Sequence, residues 1–435
     1  MTDRWLYGWG LGYAAVGAAS LLIPLYALEL GAGPLLVGLM ASTAAFAGVP
    51  GAILWGRLAA RTDRRRVFVL VALAATAGVL AVVPLLSDPV ALLVANAALW
   101  FVVAAAAPVL NLIVVDGVPE SDWEREIGRL NHYQGYGWLL GLVAGAAWTG
   151  AAAAATDASP VAAQRSFFLA SAASTAVALG VVRYWYPERP RVSPERFRRV
   201  YRRLSRTGGR TVRAVPFGPS RVYWSLRSLR PDRLTGRFRS RLGTYLAALT
   251  LCFVGFSVFF GPLPAYLTAE SFSTDGIFAL FVLSSAGSAA FYARAGDLSA
   301  RMDARRLQVA ALLGRAGAFP VIAAVGVALA PPVAVAAQAP LFAFVGVTWA
   351  VIAVTSTGVV TRLAPSEARG EALGAYAALS NFGGGVGSAL GGWIAASAGY
   401  VAAFGVAAGL IAVGAALVAL GRRGAVPAAD RPLGR

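Results

Sequence analysis

The chain has 435 residues, 58% of them hydrophobic and only 13% charged, where a soluble domain carries roughly 25% charged residues. That excludes a chain covered by water-facing surface and points to a polytopic α-helical membrane protein. The formal charge of +18 rests on 38 arginines with no lysine, and with Cys252 as the one cysteine neither an intrachain disulfide nor a cysteine metal site can form.

Apolar runs of about 20 residues, the length that a bilayer core of ~30 Å demands of a helix, predict twelve spans: 5–28, 34–57, 67–86, 90–117, 127–150, 163–186, 243–268, 276–297, 307–330, 333–361, 372–397 and 400–420. Closed barrels would show alternating segments of ~10 residues, and none stands out. Met1 to Arg4 is too short for a cleaved leader, so the first run is expected to stay as a helix.

Between spans 2 and 3 comes a charged hairpin, Gly56-Arg57-Leu58-Ala59-Ala60-Arg61-Thr62-Asp63-Arg64-Arg65-Arg66. Between spans 8 and 9 comes its copy, Gly296-Asp297-Leu298-Ser299-Ala300-Arg301-Met302-Asp303-Ala304-Arg305-Arg306, 240 residues later. Pro24-Leu25-Tyr26 matches Pro264-Ala265-Tyr266 at the same offset. Farther on, Pro119 and the glycines Gly128, Gly137, Gly141 and Gly145 match Pro365 and Gly374, Gly383, Gly387 and Gly391 at an offset of 246. The chain therefore reads as one six-span unit written twice, with a small insertion in the second copy. Parallel repeats of this kind pack about an axis along the membrane normal, with substrate bound near mid-membrane.

The units are residues 1–186 and 242–420, with a tail over 421–435. Between the units, 187–241 carries 17 arginines against Glu188, Glu195 and Asp232. Ser193-Pro194-Glu195 starts a helix, and Phe197, Val200, Tyr201 and Leu204 follow at helical spacing among the arginines. Such a helix is expected to lie on anionic lipid headgroups, a tether rather than a nucleic-acid site. With both termini in the cytoplasm, the arginines of the two hairpins, the linker and the tail all fall inside, while the outer connections carry acids; Arg165 is the exception. A multi-pass protein of the cell membrane, acting as a monomer, is the expectation.

These residues resemble the major facilitator superfamily over the whole chain. Gly56, Leu58, Arg61, Arg64 and Arg65, with Gly296, Leu298, Arg301 and Arg305 in the copy, fit that family's loop signature. The resemblance implies two six-helix bundles related by a pseudo-twofold axis and transport by alternating access, without cofactor or metal. It also implies a gating role for the hairpins, with Asp116 pairing with Arg61 or Arg65. The usual acid of the signature is replaced by Ala60 and Ala300, and Asp63 and Asp303 stand where a glycine is usual. The stripe Gly128, Gly137, Gly141 and Gly145 partly fits the family's exporter signature, with Leu142 in place of its proline. Small residues every fourth position equally serve close helix packing.

Polar groups inside the spans are the candidates for binding and coupling. Asn111 lies in span 4, Asn131, His132 and Gln134 in span 5, and Asn381 in span 11. Trp100 and Trp349 sit at similar depths in spans 4 and 10, and the resemblance implies that Tyr13, Trp100, Asn111 and Trp349 line the pathway. His132, the single histidine, has an ordinary pKa of ~6.5 suited to proton coupling; a histidine hydrogen-bonded between helices is the plainer alternative. Arg315, well inside span 9, reads either as an anion site or as a side chain snorkelling to the interface. The function expected is a secondary transporter, an antiporter exporting a small organic solute, with proton coupling, sodium coupling and facilitated diffusion all open. An uptake carrier and a transport-inactive sensor or scaffold are the alternatives. No phosphate-binding glycine loop or hydrolase triad stands out, so an enzyme is not expected.

Overall fold

The computed structural model describes residues 4–59, 65–115, 123–156, 159–186, 241–364 and 369–420. The linker, the tail, Arg61, Asp63 and Asp116 lie outside them. The described residues form thirteen α-helices and one 3₁₀ turn: α1 (Trp5–Glu29), α2 (Pro34–Ala59), α3 (Arg65–Val82, extended by the turn Val83–Leu85), α4 (Pro89–Val115), α5 (Trp123–Thr156), α6 (Pro160–Trp185), α7 (Arg241–Phe260), α8 (Leu263–Ala269), α9 (Thr274–Arg301), α10 (Ala304–Ala328), α11 (Pro331–Leu363), α12 (Arg369–Ala398) and α13 (Tyr400–Leu420). Among the described residues, nine stretches are long and apolar enough to cross a membrane by length and composition.

Local chemistry sets the ends. Proline opens α2, α4, α6 and α11, where its missing N–H costs nothing. Ser159 Oγ accepts from Ala162 N, Ser273 Oγ from Gly276 N, and Asp303 Oδ1 from Arg305 N, capping α6, α9 and α10. Gly31, at φ +89°, turns the chain after α1.

The sequence predicts one unbroken seventh span, and the structure divides it. Gly261-Pro262 separates α7 from α8, because proline offers no N–H to the helix ladder and glycine holds it weakly. The matching pair at the offset of 240 is Leu21-Leu22, inside the continuous α1.

The packing is written twice, like the sequence. α1 packs on α5 and α6, α2 on α4, and α3 on α6; in the second half α7 packs on α12 and α13, α9 on α11, and α10 on α13. The register is kept to the residue. A Cβ on Gly137 would run into Gly10 O and one on Gly141 into Ala14 O; on Gly383 it would meet Thr250 O and on Gly387 Val254 O. Gly10 to Thr250 and Ala14 to Val254 are steps of 240, while Gly137 to Gly383 and Gly141 to Gly387 are steps of 246. The glycine stripes are thus the faces on which α5 and α12 approach the first helix of their own bundle. Gly391 continues this against Val258 O, but Gly145 instead receives the ring of Phe278 from the other half, and Gly128 faces open space.

The halves meet chiefly through α2 with α12 and α5 with α9, with the short α8 touching α1 and α2. Exchanging the halves turns one pair into the other, as a pseudo-twofold axis requires. A Cβ on Gly38 would collide with Ser388 O and Gly392, and Gly150 lies by Asp275. Gln164 Nε2 donates to Thr274 Oγ1 across the seam at 3.2 Å, and the rings of Phe46 and Phe382 meet at mid-span, 6.3 Å apart. Among the described residues, each of these contacts lies between mid-span and the end holding the α1–α2, α5–α6, α8–α9 and α12–α13 connections. The described residues of both charged hairpins fall at the opposite end.

Candidate functional site

Helices α1, α4 and α5 of the first bundle carry one group of aromatic rings. Tyr13 lies 6.2 Å from Trp9 and 6.2 Å from Trp138, and Trp138 lies 6.3 Å from Trp100, centroid to centroid. Trp9, Tyr13 and Trp100 are buried, and Trp9 Nε1 has no hydrogen-bond partner among the described residues. The second bundle holds a matching group on α7, α11 and α12. Phe253 lies 6.1 Å from Trp349, 6.0 Å from Tyr376 and 5.5 Å from Phe256. Tyr13 and Phe253 are one position in the two copies, 240 residues apart. Edge-on and tilted pairs at these separations are favoured by the ring quadrupole.

Arg315 stands behind the second group. It is 2% exposed, so it does not snorkel. Its Nη2 donates to Val345 O at 2.6 Å and its Nε to Thr348 Oγ1 at 3.2 Å, both on α11. Its guanidinium carbon lies 4.7 Å from the centre of the Phe256 ring, 5.5 Å from Trp349 and 5.8 Å from Phe260. Each is within cation–π range.

The other candidates divide. Asn111 and Gln134 are buried in α4 and α5. Asn381 Nδ2 donates to Ala377 O of its own helix at 3.0 Å. His132 is exposed rather than wedged between helices, its ring edge-on to Tyr136 at 4.2 Å. Of the hairpins, Gly56 and Leu58 lie in the last turns of α2, and Arg65 begins α3. In the second copy Gly296, Leu298 and the exposed Arg301 end α9. Asp303 caps α10 and lies 3.9 Å from Arg306, an exposed pair of little energetic weight. The guanidinium of Arg305 sits over the Tyr245 ring at 5.8 Å. Tyr245 Oη donates to Gln308 Oε1 and Gln308 Nε2 to Ser356 Oγ, each at 2.7 Å, which ties the hairpin to α7 and α11. Trp9, Trp138, Phe253, Phe256 and Tyr376 are the site residues that reading the sequence missed. The offset of 240 that pairs Tyr13 with Phe253 was the signal that could have found Phe253.

The sequence profile described as Major Facilitator Superfamily matches residues 8–387 and 339–435. No curated protein matches by sequence search. Among solved structures, the chain is similar to the nucleoside transporter NupG, at 12% identity and a TM-score of 0.71, covering 97% of this chain and 100% of that one. It is similar to a bacterial homolog of the human lysosomal transporter Spinster, inward-facing and occupied, at 15% identity and a TM-score of 0.69, covering 96% of each chain. It is also similar to the xylose transporter XylE from E. coli, partially occluded and inward open, at 15% identity and 0.62, covering 95% and 96%. At these identities the likeness is one of fold.

Proposed function

We propose, on the premise that this chain belongs to the Major Facilitator Superfamily, that it is a secondary transporter exporting a small organic solute by alternating access. The transport fold and a multi-pass place in the membrane follow from the family; direction, coupling and solute are our reading. The observation that carries it is the seam. Two bundles built to one plan touch through α2 with α12 and α5 with α9, between mid-span and one end. Such a seam can open at one end as it closes at the other, with neither bundle unfolding.

With the termini in the cytoplasm, as the arginine distribution favours, the closed end is the outer one. Export is favoured over uptake by the partial exporter signature around Gly137 and Gly141. Tyr13, Trp100 and Trp138 on one side and Phe253, Trp349 and Tyr376 on the other would hold the solute's apolar body. Coupling to protons would rest on His132 and is the reading kept; sodium is the alternative driver. Purified protein in proteoliposomes, loaded with a panel of labelled nucleosides, sugars and aromatic acids, tests the proposal. Counterflow of at least one solute is expected, and absence of exchange for every class would favour a sensor or scaffold.

A further inference from the structure

We infer that Arg315 anchors the acidic group of the transported solute, a carboxylate or similar monoanion on a flat apolar body. This deepens the transport reading above and rests on it.

Arg315 is the twelfth residue of α10, roughly 16 Å along the helix at 1.5 Å per residue and so near the middle of a ~30 Å core. A cation there costs a few kcal/mol unless it is paired or hydrated. Among the described residues no acid pairs with it. Its Nε and Nη2 are held by α11, and Nη1 has no hydrogen-bond partner among the described residues. The charge is therefore fixed in place and buried, with hydrogen bonds and ring faces around it but no counter-anion among the described residues. An anion would supply what is missing.

The matching position in the first bundle is Ala75 at the offset of 240 and Val69 at 246, both apolar. The first bundle thus packs its third helix without a cation. Arg315 also points away from the periphery. From α10 its guanidinium reaches the rings of Phe256 on α7 and Trp349 on α11, members of the aromatic group that matches Tyr13 and its neighbours. One fixed guanidinium beside edge-on aromatic rings suits a planar carboxylate, which accepts charge-assisted hydrogen bonds from an arginine while its body lies against the aromatics.

The test uses full-length protein with 2-naphthoate and its uncharged isostere 2-naphthamide, titrated by calorimetry. Wild type should bind the acid about 10- to 100-fold more tightly than the amide, the range of a hydrogen bond to a charged group. Arg315→Met should remove that preference and leave the amide within about twofold. Thr348→Val, which keeps the charge but frees Nε, should reduce it less. If Arg315→Met does not fold, wild type and Thr348→Val decide: a preference for the acid that Thr348→Val weakens supports the site. Equal affinities in wild type, a preference unmoved by either variant, or no binding of the acid at millimolar concentration overturns it. Counterflow separates the two readings. Arg315-dependent binding without exchange keeps the site and sinks transport; exchange of neutral solutes without a preference for the acid keeps transport and sinks the site.

Discussion

Tyr26 and Tyr266 do the same task 240 residues apart. Tyr26 Oη donates to Leu86 O at 3.0 Å, just after α3, and Tyr266 Oη to Ala323 O at 2.7 Å in α10. In each bundle the last turns of the first span are pinned to the third. Tyr26 has one more partner, for Arg165 Nε donates to its oxygen at 2.8 Å. The arginine that breaks the charge asymmetry of the loops is thus held within the first bundle.

Tyr266→Phe should lower stability by about 1 kcal/mol, the net worth of one buried hydrogen bond. Tyr26→Phe should cost more, because Arg165 loses its acceptor as well. Thermal unfolding in detergent ranks the two; equal losses would remove Arg165 from the account.

The glycine stripes give a graded prediction. Gly141→Leu and Gly387→Leu would each drive a side chain into a carbonyl oxygen of the facing helix and should cost at least ~1–3 kcal/mol. Gly128→Ala meets nothing within 4 Å and should be neutral or stabilising by up to ~1 kcal/mol through helix propensity. Monodispersity after heating separates the outcomes.

The seam can be forced apart. Gly392→Leu would push against Pro34 O and Gly38, so the end closed here should no longer close. Spin labels at Ala32 and Ser397 should then report a longer distance than in the parent, and exchange should fall. An unchanged distance would show that the seam has room to spare.

His132→Gln should abolish any stimulation of transport by an imposed pH gradient, since the proposed proton coupling rests on this imidazole. Gradient-driven flux that survives the change would take His132 out of the coupling mechanism and favour sodium.

Much of this architecture was legible because it is duplicated. Hairpins at one offset and glycines at another became contacts at both offsets, Gly141 on Ala14 and Gly387 on Val254. The depth of Arg315 was legible too. Its partners were not, because which face of α11 offers Val345 O and Thr348 Oγ1 depends on how two apolar helices rotate against each other, and nothing in an apolar run marks that angle. The break at Gly261-Pro262 was hidden for a similar reason: hydropathy stays high across it. The expected contact of Asp116 with Arg61 or Arg65 lies outside the described residues and remains a proposal.

The position of the seam has an electrostatic consequence. Among the described residues, Arg65, Arg66, Arg301, Arg305 and Arg306 stand at the end away from the seam, the end through which the proposed export would admit solute. Fields from such charges extend about one Debye length, ~8 Å at physiological ionic strength, and enrich solutes of opposite sign before they touch the protein. Entry of an organic anion should therefore slow as salt is added, while that of a neutral analogue of the same shape should hardly notice.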